Sequence, residues 1–257
     1  MKRLSRRRVL GLAAQSATLA GAITTGLRGS AATALPVAIT LPSTVTLPLA
    51  VTLPSAPARP PVRQVHGILP GAPDNLIALT IDDGPDPRWT PQVLDLLRLH
   101  GVQATFSLIG IRARAHPDLA RRITADGHAI CNHSMTHPQP FARRPAEAIL
   151  QQITDAQSAI ADAGGQKPTL FRAPGGSWSP VVLAAVASLR LVPLGWNIDP
   201  RDWSRPGAEM ITRTLLAAQG GDILLCHDGG GDRRQTLEAL RSVLPALTSR
   251  GLRFAAL

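Results

Sequence analysis

Residues 75–108 read NLIALTIDDGPDPRWTPQVLDLLRLHGVQATFSL, and the change of period along this stretch decides the fold. Asn75–Ile81 is a short, almost wholly apolar run, the pattern of a strand covered on both faces. It ends in two carboxylates, Asp82 and Asp83, followed by the turn pair Gly84-Pro85. From Thr90, read as a helix cap, apolar residues fall at helical spacing, with Pro91 in the first turn and Gly101 just past the last. A second apolar run, Gln103–Leu108, follows at once. A strand, a crossover helix and a second strand in so short a space is the unit that builds parallel sheets with right-handed connections.

The unit repeats to the end of the chain. Further strands are expected at His128–Cys131, Leu170–Arg172, Leu191–Trp196, Asp222–His227 and Leu252–Ala256. Between them lie a helix ending at Gly127, one over Pro145–Ala163, one opened by Ser179-Pro180, one over Gly207–Ala218 and one over Arg234–Arg250. Seven strands rather than eight predict an α/β fold, an incomplete (β/α)7 barrel of parallel strands. Functional groups then gather just after the strands, at their carboxyl edge.

The chain has 257 residues and a formal net charge of +10, which invites a nucleic-acid reading until the charge is located. Eight of the 27 basic side chains precede residue 64 with no acid among them, leaving 19 basic against 17 acidic in the remainder. The folded part is close to neutral. With no Tyr and 3% aromatics, it also lacks stacking platforms, so a nucleic-acid partner is excluded. The opening segment, residues 1–34, has the order of an export signal: Lys2, Arg3 and Arg6-Arg7-Arg8, then a mildly apolar run from Val9 to Leu27, then Ala32-Thr33-Ala34 as a cleavage site. Ser5–Leu10 resembles a twin-arginine signal, which makes the twin-arginine export machinery an expected partner and the periplasm or the exterior the expected location. Gln15, Ser16, Thr18, Thr24 and Thr25 interrupt the run and argue against a permanent membrane anchor. Residues 35–63 hold Leu-Pro at 35, 41, 47 and 53. A proline at every sixth place forbids a central strand and favours an extended spacer; the catalytic domain is expected over 64–257. Cys131 and Cys226 are too few for a disulfide framework and read as buried free thiols.

Chemistry-bearing residues recur after five of the strands: Asp82-Asp83 after the first, His133 and His137 after the third, Arg172 in FRAPGG after the fourth, Asp199 and Asp202 in WNIDPRDW after the fifth, and His227 closing the sixth. Each has a bland reading alone, such as a solvated acidic turn or a structural histidine. If the HSMTH segment is helical, its two imidazoles share one face and can grip one ion; otherwise His137 simply precedes a proline turn. Together they crowd the edge at which this architecture places active sites.

In TIDDGP, HSMTH, RAPGG, DPRDW and LCH, in that order, the chain resembles the polysaccharide deacetylase (NodB-like) family, carbohydrate esterase family four, over about residues 75–257. The resemblance implies a metal-dependent hydrolase acting on an N-acetylated glycan. It assigns Asp82 as base, Asp83, His133 and His137 as metal ligands, and His227 as general acid. It further has Arg172 hold Asp82 and Asp202 orient His227, with Gly175, Trp203 and Leu225 lining the acetyl pocket. One oxygen and two nitrogen ligands suit Zn2+, with Co2+ or Ni2+ as alternatives. Two positions depart from the family pattern. Ile81 replaces a Phe, and Gly175 replaces an aromatic, which leaves a backbone N–H but removes a sugar-facing wall. An O-acetyl esterase acting on xylan-like glycans would use the same residues. A non-catalytic carbohydrate-binding protein would be expected to have lost a ligand or an acid–base residue, and none is lost.

Overall fold

The apolar run beginning at Leu76 becomes an interior strand of the sheet, with neighbours on both edges. The computed structural model describes residues 58–257, so the expected signal and most of the expected spacer lie outside the described residues. β1 (Leu76–Asp82) is buried at every position from Ile77 onward. It pairs in parallel with β2 (Thr105–Leu108) on one side and β6 (Ile223–His227) on the other. β3 (Ala129–Asn132), β4 (Leu170–Phe171) and β5 (Val192–Pro193) extend the sheet to give the order β5-β4-β3-β2-β1-β6, while β7 (Arg253–Phe254) pairs with the start of β1. Every named pairing is parallel, as the strand–helix alternation predicts, and the sheet curls into an incomplete barrel.

The seam between β5 and β6 carries isolated bridges instead of a ladder: Ile198 beside Leu224, Val62 beside Leu194 and Gln64 beside Asp222. The Val62 N–H donates to Pro193 O at 2.8 Å and Val62 O accepts from the Gly195 N–H at 2.7 Å. The folded unit therefore starts before residue 64, since Val62 already belongs to the sheet margin.

Seven α-helices surround the described sheet. They are α1 (Thr90–Leu99), α2 (Gly110–Ala115), α3 (Pro117–Ala125), α4 (Ala146–Gly164), α5 (Pro180–Ser188), α6 (Ala208–Leu216) and α7 (Arg234–Ser249). The second crossover is two helices because His116 precedes Pro117, whose ring pushes it off helical geometry to φ −132 and ψ 61. The start of α1 also differs from expectation. Asp86 Oδ1 accepts the Arg88 and Trp89 N–H groups, while the Thr90 hydroxyl accepts the Asp86 N–H. Thr90 is thus the first helical residue, not the cap. Ser179 does cap α5, accepting the Val182 N–H at 3.3 Å. The outer core packs Leu94 and Leu97 of α1 and Leu240, Val243 and Leu244 of α7 against Ile77, Leu79 and Phe106.

Candidate active site

Alternation along β1 turns Thr80 and Asp82 to one side, toward the barrel interior, where the space is filled by Arg172, the largest fully buried side chain. Arg172 Nη1 donates to Asp82 Oδ1 at 2.7 Å and to Thr80 Oγ1 at 2.8 Å, and Nη2 donates to Gly195 O at 2.9 Å. A guanidinium does not release its proton in a protein, so it fixes the charge of its partner. Burial works to raise the Asp82 pKa, but the charge of Arg172, aided by His133 and His227, outweighs it and leaves the carboxyl below its usual range. Asp82 is a buried carboxylate held ionised.

Asp83 points elsewhere because its backbone is left-handed, at φ 75. HSMTH is not helical: Ser134 and His137 have φ of 67 and 55, and the loop doubles back so that both imidazoles meet Asp83. Non-glycine residues at positive φ persist only where their surroundings hold them; here the Ser134 hydroxyl accepts the His137 N–H at 3.0 Å and the Asn132 amide oxygen accepts the Ser134 N–H at 2.9 Å. His133 Nε2 lies 3.5 Å and His137 Nε2 3.4 Å from Asp83 Oδ1. His133 Nδ1 lies 2.8 Å from Arg172 O; as the donor in that bond it leaves Nε2 free as a ligand. Burial and the neighbouring His133 charge hold His137 below its ordinary pKa, whereas for His133 burial is outweighed by the carboxylates of Asp82 and Asp83, which hold it above its own, so a bound cation would have to displace the His133 proton.

These three residues fit a metal ion. Asp83 Oδ1 is buried with no hydrogen-bond partner, and one donor atom from each residue falls within a 4.8 Å cluster. Two donors about 2.0–2.1 Å from a common tetrahedral centre lie roughly 3.3–3.5 Å apart, which matches the two His–Asp separations.

On the neighbouring strand, His227 of β6 is the register partner of Asp82 of β1. His227 Nδ1 lies 2.7 Å from Asp202 Oδ1, and Asp202 Oδ2 accepts from the His227 N–H at 2.9 Å and the Thr236 hydroxyl at 2.8 Å. Burial draws the His227 pKa down, but the hydrogen bond and charge of Asp202, with Asp82 and Asp83 adding to them, push it up to about 9. At neutral pH this imidazole carries a proton.

One cavity of about 620 Å3 is lined by Asp82, Asp83, His133, His137, Gly175, Trp203, Leu225 and His227. Eight of the ten residues singled out from the sequence thus share one wall. Arg172 and Asp202 lie one layer behind, each touching the residue it was expected to hold. The cavity also includes Gln139, Trp196, Asp199, Arg201 and Arg233, to which sequence reasoning gave no role. Asp199 and Arg201 belong to WNIDPRDW, and the glycine run Gly229–Gly231 just before Arg233 is a sequence signal of close backbone approach. A Cβ at Gly229 would collide with the Asp83 carbonyl, so that loop must be glycine for the Asp83 turn to pass. Gly175, at φ 60, has Gln139 where a side chain would begin. Cys131 and Cys226 are buried and unpaired, with burial pushing the Cys131 thiol up to about 12, so neither is a nucleophile here.

Comparison with known proteins places this geometry among relatives. The sequence pattern described as polysaccharide deacetylase matches residues 70–194. A chitooligosaccharide deacetylase of Rhizobium leguminosarum bv. trifolii is 44% identical over 193 residues, covering 70% of this chain and 89% of that protein. A peptidoglycan-N-acetylglucosamine deacetylase of Bacillus cereus is 43% identical over 185 residues, covering 70% and 85%. Among solved structures, a peptidoglycan N-acetylglucosamine deacetylase superposes with a TM-score of 0.69 at 30% identity, over 79% of this chain and 89% of that one.

Proposed function

This chain belongs to the polysaccharide deacetylase family, and from that premise we propose that it hydrolyses the acetamide of N-acetylated sugars in an oligo- or polysaccharide, with Asp82 as general base and His227 as general acid. The observation that carries the reading is the register pairing of Asp82 with His227, one held as a carboxylate and the other as an imidazolium, beside the Asp83, His133 and His137 donor set.

Amide hydrolysis needs help at both ends, because the carbonyl is a weak electrophile and the amine a poor leaving group. Asp83, His133 and His137 would hold a divalent ion, in this reading Zn2+ with Co2+ or Ni2+ as alternatives, which would supply positive charge to polarise the acetyl oxygen and acidify water. Asp82 accepts the proton of the attacking water, and Arg172 keeps it available for that task. Gly175 lines the cavity, and its N–H would serve as a fixed donor for the oxygen that becomes negative. Asp202 orients His227 with its proton on the cavity-facing nitrogen, from which it passes to the departing sugar nitrogen. Leu225 and Trp203 wall off the acetyl methyl group. The test is acetate release by the full chain from N-acetylglucosamine oligomers and from O-acetylated xylan, before and after chelation and with each metal restored. Release from the former that disappears on chelation is expected; release only from xylan, or from neither, overturns the reading.

Export belongs to the same proposal. The Arg6-Arg7 pair and the apolar run after it support delivery of a folded enzyme to the periplasm or beyond, and Arg6→Lys with Arg7→Lys should leave precursor in the cytoplasm.

A further inference from the structure

The cavity holds a second buried cation that the hydrolysis does not use. Arg233 immediately precedes α7 and is only 3% exposed. Its Nε donates to Gly229 O at 2.8 Å. Among the described residues it enters no ion pair, and its Nη atoms reach no protein acceptor. Arg172, equally buried, spends its donors on Asp82, Thr80 and Gly195 O. A guanidinium removed from water without a counter-charge is costly unless something outside the chain supplies that charge.

The place of Arg233 says where the counter-charge belongs. It lines the same cavity as Asp83 and His137, and a Cβ built on Gly230 would lie 3.0 Å from Asp83 Oδ2 and 3.4 Å from Arg233 Nη2. The guanidinium and the candidate ligand carboxylate therefore flank one glycine, and a group seated on Arg233 is a close neighbour of the reacting acetamide. Arg172 is paired with Asp82 and His227 with Asp202, and the other cavity carboxylates are turned elsewhere, Asp83 to the two imidazoles and Asp199 to the Arg201 N–H. Arg233 is thus a buried cation without an ion-pair partner of its own among the described residues, at the positive end of α7, and its planar fork suits a carboxylate.

We propose that Arg233 is a specificity-determining residue that receives a carboxylate borne by the glycan beside the reacting acetamide, so that the enzyme prefers an acidic N-acetylated glycan to a neutral one. This rests on the deacetylase reading. The carboxylate has two possible sources, an acidic ether substituent on the sugar itself or a peptide attached to it.

The test compares, on the full chain, oligomers alternating N-acetylglucosamine with N-acetylmuramic acid, the same oligomers with the lactyl carboxylates capped as methyl amides, and oligomers carrying stem peptides. The expected result is a kcat/KM about tenfold higher or more for the free-acid or the peptide-bearing oligomer than for the capped one, with the gap narrowing as salt screens it. The better of the two identifies the source of the carboxylate. Arg233→Gln should remove most of the ratio between acidic and capped substrates, and Arg233→Lys should keep part of it. Calorimetric binding to metal-stripped protein should show the same preference, lost in Arg233→Gln. Equal kcat/KM for capped and uncapped oligomers in the unaltered chain, or an unchanged ratio in Arg233→Gln, overturns the proposal. If no oligomer releases acetate, the deacetylase reading fails, and the binding measurement still decides the role of Arg233.

Discussion

Arg172–Asp82 and His227–Asp202 are both buried pairs of a cation and a carboxylate, at the ends of neighbouring strands beside one cavity, and they are built in opposite senses. In the first, the carboxylate faces the cavity and the cation stands behind it; in the second, the imidazole faces the cavity and the carboxylate stands behind. The hidden member sets the charge of the exposed one. Arg172 holds Asp82 deprotonated, while Asp202 holds His227 protonated with a pKa of about 9. Because the two exposed members are register partners, a proton acceptor and a proton donor sit side by side at the same pH, which neither could do with its ordinary pKa.

The largest effects should come from the residue that belongs to neither pair. Asp83→Ala removes the sole oxygen donor of the candidate metal site, so the purified protein should have lost metal by elemental analysis and turnover should be abolished, with excess zinc restoring only a fraction. Asp82→Asn, one residue away, breaks the first pair but leaves that donor set intact. Metal content should stay near one equivalent while kcat falls about 10²–10⁴-fold, the usual worth of a positioned base. If Asp82→Asn keeps full activity, or loses its metal along with Asp83→Ala, the two aspartates do not divide the work as their backbones divide their directions.

Breaking the second pair should be gentler and should depend on the substrate. His227→Ala removes the proton donor, and Asp202→Asn leaves a neutral imidazole whose proton is no longer held in place. Both should slow acetamide hydrolysis by about 10²–10³-fold. Both should cost much less on an aryl acetate, whose leaving group departs without a proton. Equal losses on the two substrates would remove His227 from the role of acid.

The strand–helix alternation was legible because it is carried by local period, and so were the polar residues that follow the strands. What the sequence concealed was tertiary. Thr236 lies 34 residues from Asp202 yet holds its second oxygen, and nothing local marks that threonine. Thr80 looked like one more strand residue, but its hydroxyl links Arg172 to Leu224 O across β1 and β6. The HSMTH loop could not be told from a helix, because two residues at positive φ leave no signature when neither is glycine. Composition puts Val62 in the spacer, whereas its two hydrogen bonds place it on the sheet. Arg233 was indistinguishable from a surface arginine, since burial without a counter-charge is a property of the fold and not of the residue.

A further buried carboxylate, Asp228, sharpens the comparison because, among the described residues, no cation pairs with it. It follows His227, its N–H donates to Asp82 O at 3.1 Å, and its Oδ2 accepts from the Thr90 hydroxyl at 2.5 Å. Its Oδ1 has no partner and lies 2.5 Å from where a side chain on Gly84 would begin. Burial, with the charges of Asp83 and Asp86 behind it, outweighs the Thr90 bond and the charge of His227 and pushes its pKa up to about 7. An unfolded Asp titrates near ~3.9, so between these values the folded protein keeps a proton that the unfolded chain has released. The stability this proton brings is complete at low pH and is lost as pH rises through the folded pKa, with a slope of up to about 1.4 kcal/mol per pH unit. Asp228→Asn cannot ionise and should lack the loss. Urea unfolding of both proteins from pH 5 to 8 should therefore show the variant gaining on the parent up to pH ~7 and then holding a constant margin, with kcat changed by less than about tenfold. A margin that does not vary with pH would mean that Asp228 ionises in the fold as an exposed carboxylate does, and that a neighbouring cation is not what separates it from Asp82.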